Sequence, residues 1–244
     1  MAKKQRLDKS VQEQFSHLSR NQIQSFIMQG KVKVDGMVCT KAGMQVAQDA
    51  VIELDELKPK YVCRVGFKLE KALEHFNVDV TDFIAMDAGL STGGFTDCLL
   101  QNGAQRVYGV DVGYGQVHEK IRADNRVVVM ERTNLRNLKT LQEKVDLVTL
   151  DLSFISVLKV MENVCAVLKE GGSVLLLIKP QFEAKREQVG KGGVIKDEAI
   201  HEQVIEEVTQ GIVAHGFEYK GVTESPITGA AGNKEFLAFF IKKK

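Results

Sequence analysis

The residues with chemistry to offer lie where apolar runs end. Asp151 closes VDLVTLD, and Lys179 closes SVLLLIK just before Pro180, whose missing N–H stops a strand there. Glu235 opens EFLAFFI, and Lys68 sits in the helical pattern FKLEKALEHF. A lysine beside a second cation, partly withdrawn from water, is shifted toward its amine form and can act as a base. Carboxylates beside it orient it and bind hydroxyls. Charges at strand ends also form plain structural ion pairs, and spacing alone leaves both readings open.

A second set surrounds DAGLSTGGF, Asp87 to Phe95, which follows an apolar run and leads into a helix starting near Gly94. Gly89, Gly93 and Gly94 let the backbone pass close to a ligand. The dinucleotide fingerprint would place its middle glycine at 91, which is Ser91. An acid at Asp87 would repel a pyrophosphate but suits a cationic amino-acid group. Asp111 ends the next apolar run, where an acidic side chain binds ribose hydroxyls. Loop and acid together fit S-adenosylmethionine, with its amine, carboxylate and ribose; the alternative is a tight strand-to-helix turn without a ligand. The cofactor-binding candidates are Asp87, Gly89, Ser91, Thr92, Gly93, Gly94, Phe95, Asp111 and Asp151, with Glu131, Thr133 and Asn134 near the adenine. After the fourth strand, enzymes that methylate exocyclic base nitrogens carry an Asn/Asp-Pro-Pro-aromatic stretch. Here that place reads DLSF, Asp151 to Phe154, without prolines or a nucleophilic cysteine. A hydroxyl acceptor fits better than a base nitrogen or carbon. His17, His75, His118, His201 and His215 pair with no Ser or Cys nucleophile and read as structural or surface residues.

The elements that must position these groups follow from periodicity. FIAMD, RVYGVD, RVVVME, VDLVTLD and SVLLLIK alternate with helical or irregular links, which predicts a parallel, doubly wound α/β sheet. EYKGVTESPI and EFLAFFIKK follow with only a glycine-rich turn between them, so one runs antiparallel. An antiparallel last strand brings Glu235 to the edge occupied by Asp151 and Lys179, beyond the carboxyl ends of the strands, where such sheets bind ligands. Ahead of this lies a small α+β unit. Ser19 with Gln22 is a capping box, Ile23, Phe26 and Ile27 give a helical face stopped at Gly30, and Asp35-Gly36 between valine strands is a hairpin turn. The boundaries read as a small domain at 1–58, a linker at 59–66 containing Pro59, and a large domain at 67–244.

The 244 residues, 44% hydrophobic and 27% charged, are those of an ordinary globular protein. The net charge of +1 hides a gradient. Through Lys41 there are eight Lys or Arg against three acids. A basic segment on a mildly acidic body suggests polyanion binding, with Lys3, Lys4, Arg6, Arg20, Lys31, Lys33 and Arg64 as the contacts; a solvated lysine-rich surface is the plainer alternative. Cys39, Cys63, Cys98 and Cys165 form no C-x-x-C pair, which argues against a metal site or disulfide framework and for a reducing cytoplasm. MAKKQRLDKS lacks a secretory apolar stretch, and SVLLLI is too short to span a bilayer.

In order and spacing, DAGLSTGGFTDCLLQNGAQRVYGVDVGYGQ, RVVVMERTNLR, DLSFIS, KPQFE, VGKGGVI and GNKEF resemble the hemolysin A (TlyA-like) family, and the likeness covers nearly the whole chain. Residues 6–56 resemble the small RNA-binding module first known from a small-subunit ribosomal protein. The larger part is similar to FtsJ-type rRNA methyltransferases, which implies that the doubly wound sheet is a Rossmann-like methyltransferase sheet. That resemblance implies S-adenosylmethionine as methyl donor, an rRNA ribose 2'-hydroxyl as acceptor, ribosomal RNA or a ribosomal subunit as partner, and a catalytic tetrad of Lys68, Asp151, Lys179 and Glu235. Where comparable members read Ser-Arg-Gly-Gly-x-Lys-Leu, this chain has CRVGFKL, keeping Arg64 and Lys68 but carrying Cys63 and Val65. Two other functions stand beside this one: a membrane-active protein, as the family name suggests, and a non-catalytic RNA-binding factor on a silent methyltransferase fold.

Overall fold

The computed structural model describes residues 4–28, 30–55, 60–229 and 231–244, without the side chains of Asn21 and Ser25. Lys3 and Pro59 lie outside the described residues. The chain divides between Lys60 and Tyr61 into two compact units.

The smaller unit runs β1 (Lys4–Arg6), α1 (Leu7–Gln14), α2 (Arg20–Met28), β2 (Val32–Val34), β3 (Met37–Cys39), β4 (Gln45–Ala47) and β5 (Ile52–Leu54). The capping box starts α2 as expected: the Ser19 N–H donates to Gln22 Oε1 at 2.8 Å, and the Gln22 N–H to Ser19 Oγ at 3.4 Å. Asp35 (φ 49) and Gly36 (φ 78) are both left-handed, the geometry that matches the twist of a two-residue hairpin. This pairs Val34 with Met37 and turns Val32 and Val34 onto a core with Leu7, Val11, Ile23 and Ile27. Beneath that core lies Asp8, 1% exposed. Arg6 grips it with two bonds of 2.9 Å, and Arg20 stands 3.5 Å away. The hydrogen bonds from Arg6 hold the Asp8 carboxyl down to about 2, against the smaller opposing effect of burial.

The larger unit contains α3 (Gly66–Phe76), β6 (Ile84–Ala88), α4 (Gly94–Gln101), β7 (Arg106–Val110), α5 (Glu119–Arg122), β8 (Val127–Met130), β9 (Val145–Leu150), α6 (Met161–Val167), β10 (Leu168–Ile178), α7 (Pro180–Glu183), α8 (Glu198–Ala214), β11 (Phe217–Glu224) and β12 (Phe236–Lys242). Seven strands form one sheet in the order β11-β12-β10-β9-β6-β7-β8. The pairs among β10, β9, β6, β7 and β8 are parallel, and β12 runs antiparallel between β10 and β11. Alternate residues of each strand serve opposite faces. Val148, Leu150, Val174 and Leu176 pack toward α6 and α8, whereas Leu147, Leu175 and Leu177 pack toward α3 and α4. The chain leaves β6 outward to β7 and β8, then returns to β9 on the other side of β6. The crevice at this reversal, beyond the carboxyl ends of β6 and β9, is where open α/β sheets bind ligands. Much of the stretch expected as a linker belongs to this unit: Tyr61 is 1% exposed within its core, and the Val62 N–H donates to Asp97 at 2.8 Å.

Because the folded-state value of Asp8 lies below its ordinary 3.8, its contribution is complete above that pH and fades as pH falls toward about 2. Hydrogen exchange should show the small unit opening over that acid range, and Asp8→Asn should remove the dependence while destabilising the unit by about 1–3 kcal/mol at neutral pH.

Candidate active site

Two loops at the reversal shape the site. After β6 the backbone passes through left-handed conformations at Gly89 (φ 95), Ser91 (φ 46) and Gly93 (φ 97). Ser91 holds its conformation despite its side chain because its N–H donates to Asp111 Oδ2 at 2.7 Å, while the Gly113 N–H donates to Oδ1 at 2.7 Å. Asp111 therefore ties the loop after β6 to the loop after β7, and its oxygens keep further lone pairs for a ligand's hydroxyls. Gly89 has no room for a side chain: a Cβ there would run into the Asp151 carbonyl oxygen.

Two cavities open around this crossing. One, of about 590 Å³, is lined by Lys68, Asp151, Lys179 and Glu235 together with Gly89, Ser91, Thr92, Gly94, Phe95 and Arg64. The other, of about 530 Å³, is lined by Asp111, Gly113, Thr133, Asn134 and Arg136 among others. They share Gly89, Ser91, Asp151, Ser153 and Phe154, so a ligand crossing Gly89 can reach both.

The four expected charges do converge, as two ion pairs. Lys68 Nζ and Glu235 Oε2 are 2.5 Å apart and almost wholly buried. The β10–β12 pairing sets Ile178 opposite Phe236, which brings Glu235 to the end of β10, beside Lys179. Lys179 Nζ stands 2.6 Å from Asp151 Oδ1 and donates to Ser153 Oγ at 2.9 Å. The approach to Asp151 is close but off the line of a hydrogen bond, so that buried oxygen retains an open acceptor direction. Burying paired charges brings little net stability compared with apolar packing, so their clustering in a cavity wall points to use rather than support.

Several cofactor candidates sit elsewhere. Asp87 lines neither cavity. It is 1% exposed beneath the loop, accepting from the Thr96 N–H at 3.0 Å, Thr96 Oγ1 at 2.7 Å and Thr149 Oγ1 at 3.2 Å. Burial pushes its carboxyl up to about 6, opposed by the Thr96 hydroxyl and helped by the charge of Asp151. Glu131 accepts from Arg122 at 2.9 Å and from the Gly115 N–H at 2.7 Å, and the Arg122 bond holds its carboxyl below the usual range. Gly93 packs against Ile121. Among the RNA candidates, Arg6 and Arg20 face Asp8, and Lys31 and Lys33 border a small hollow with Glu53 and Asp55. Lys4 is exposed.

Sequence reasoning assigned no role to Ser153, Phe154, Gln181, Phe182 or Asn233, all of which line the first cavity. Phe154 is 88% exposed at φ 64, with its ring centroid 4.9 Å from that of Phe182. Asn233 is buried and holds the loop at 190–195, accepting from the Ile195 N–H at 3.0 Å and donating to the Gly193 carbonyl at 2.8 Å. The signal for them was present in DLSF, KPQFE and GNKEF, motifs in which only Asp151, Lys179 and Glu235 were given a role.

A switch-point sheet with a reversed strand, a glycine loop after β6, an acid after β7 and paired lysines and acids at the shared edge define a Rossmann-like methyltransferase. The chain belongs to the FtsJ-like methyltransferase family, whose profile matches residues 61–242, and carries an S4 domain at residues 5–52. It is 41% identical to Hemolysin A of Brachyspira hyodysenteriae over 97% of this chain and 99% of that one. It is 38% identical to the 16S/23S rRNA (cytidine-2'-O)-methyltransferase TlyA of Mycobacterium tuberculosis, over 97% and 90%. A solved structure from Streptococcus thermophilus, described as a hemolysin, superposes with a TM-score of 0.77 at 41% identity, covering 100% of this chain and 90% of that one. Among the described residues no helix is long and apolar enough to cross a membrane.

Asp87 binds a proton more readily folded than unfolded, so stability should fall as pH rises from about 3.8 to about 6. Thermal melts of Asp87→Asn across that range should lose this fall; an unchanged pH profile would show that the buried carboxyl is not its source.

Proposed function

We propose that this protein transfers a methyl group from S-adenosylmethionine to the ribose 2'-hydroxyl of a cytidine in ribosomal RNA. The observation that carries this reading is the placement of Lys179 Nζ between Asp151 and Ser153, in the cavity that also contains the glycine loop and the Lys68–Glu235 pair. Cytidine comes from the relatives named for that acceptor, and a cytoplasmic location follows from the substrate.

The residues fit the cofactor. The backbone at Gly89, where a Cβ has no space, offers a close seat, and Asp111 offers carboxylate oxygens beside Thr133 and Asn134 for a ribose and adenine. S-adenosylmethionine supplies, when bound, a methyl group on a positively charged sulfur. Lys179 takes the proton of the 2'-hydroxyl, and Asp151 holds the ammonium that results. Ser153 fixes the direction of Nζ. Lys68 and Glu235 position the ribose through the hydrogen-bonding capacity their mutual pair leaves open. Since a 2'-hydroxyl gives up its proton only far above neutral pH, alignment and proton removal together supply the acceleration.

The S4 unit and Arg64 hold RNA chiefly by its phosphates, which gives affinity and register rather than sequence choice. With Arg6 and Arg20 turned to Asp8, Lys4, Lys31 and Lys33 carry more of that binding.

Lys179→Ala should lower tritium transfer to ribosomal subunits or rRNA by about a hundredfold or more, with cofactor affinity by calorimetry within about twofold; near-normal turnover would refute the assignment. Replacing Lys31 and Lys33 with Ala should weaken RNA binding and reduce the slope of log K against log salt by about 0.7–0.9 for each phosphate no longer neutralised.

A further inference from the structure

Glu183 is the last residue of α7, the four-residue helix that begins directly after Lys179. It is half-buried and lines neither cavity, and no step of the transfer described above uses it. Its Oε1 accepts the Val157 N–H at 2.8 Å. Burial pushes its carboxyl up, against hydrogen bonds from Ser156 and the Val157 N–H. An apolar side chain would pack there without that cost, so the carboxyl matters for the bond it accepts.

That bond holds the loop between Asp151 and Val157. The near end of the loop is fixed where the Asp151 N–H donates to the Ala88 carbonyl at 3.0 Å, and the far end where Val157 meets Glu183. Among the described residues, no backbone hydrogen bond holds Ser153 or Phe154 between those two points. Ser153 Oγ receives Lys179 Nζ at 2.9 Å, and the Phe154 ring packs against Phe182 of α7. Within α7 the Phe182 N–H donates to the Lys179 carbonyl and the Ala184 N–H to the Pro180 carbonyl, both at 2.9 Å. One short, internally bonded turn thus carries the lysine at its start and the anchor of the lysine's orienting loop at its end. We infer that Glu183 is a positioning residue for methyl transfer: by fixing the far end of the 152–157 loop to α7, it sets Ser153 against Lys179 and so the direction of Nζ. The plainer role is a cap on the 3₁₀ turn Val157–Val160, whose first N–H it receives. A cap of that kind would alter stability without coupling Glu183 to Ser153.

This inference rests on the ribose-methylating reading above, and the test separates the two. Single-turnover transfer of tritiated methyl to ribosomal subunits is measured at saturating cofactor and acceptor, with cofactor affinity followed by calorimetry. Glu183→Met keeps the bulk but not the acceptor. It should slow the single-turnover rate about tenfold, the size expected for one hydrogen bond, with cofactor affinity within about threefold. Glu183→Gln keeps an acceptor oxygen and should stay within about twofold of the wild-type rate. Val157→Pro removes the same bond from the other side. Val157 opens its turn and follows Ser156 at φ −69, ψ 136, where proline fits, so this variant should reproduce the Glu183→Met loss. Ser153→Ala should also cost about tenfold, and adding Glu183→Met to it should cost no more than about twofold further. Independent effects would instead multiply to about a hundredfold. Should Glu183→Met not fold, the same cycle run with Val157→Pro decides in the same way. No transfer to any 2'-hydroxyl by the wild type would overturn the ribose-methylating reading and this inference with it. A wild-type rate in Glu183→Met, an equal loss in Glu183→Gln, or multiplied losses in the double variant would overturn the inference alone.

Discussion

The close passage of two backbones at the switch point governs the rest of the site. The strand-to-helix turn after β6 runs so near the end of β9 that Gly89 faces the Asp151 carbonyl with no space for a side chain. The Asp151 N–H in turn donates to the Ala88 carbonyl at 3.0 Å, locking the two strand ends together. One acidic residue thus stands at the meeting point of both cavities. A glycine is required there because the approach is backbone to backbone, and backbone atoms cannot yield to a Cβ as the end of a flexible side chain can.

Around that crossing, buried charge is arranged in layers. Asp87 sits below the loop and is satisfied by Thr96 and Thr149, serving the loop from inside. Asp111 stands at the rim and uses backbone N–H groups to hold Ser91 in a conformation more usual for glycine. Above them each lysine is held by its own carboxylate, Lys68 by Glu235 and Lys179 by Asp151. Asn233 holds the loop at 190–195, which completes the wall, through two hydrogen bonds of its carboxamide.

Periodicity made the sheet legible, since strands buried on both faces read as continuous apolar runs and their ends mark the functional edge. Asp151, Lys179 and Glu235 could be found because each interrupts or bounds such a run. Asp87 and Glu131 also bound strands, yet one turns inward to threonines and the other sideways to Arg122. A strand end specifies which edge of the sheet a residue occupies but not the direction of its side chain. Arg6 and Arg20 carry the same lesson for charge: by residue type they look available to phosphate, whereas a nearly buried carboxylate draws both.

Local sequence was enough to specify the order of elements, the hairpin at Asp35-Gly36, the antiparallel last strand and the residue types along the ligand-binding edge, because these depend on local conformational preference and on the period of apolar residues. Which charges meet is settled by tertiary packing alone. Lys68 and Glu235 are 167 positions apart, and their pairing depends on strand order and the placement of α3 against β12, neither of which local sequence encodes. The same holds for Asp87, whose carboxylate is buried against Thr96 and Thr149. Whether a polar atom is satisfied is a property of everything packed around it, and no spacing rule along the chain carries that information.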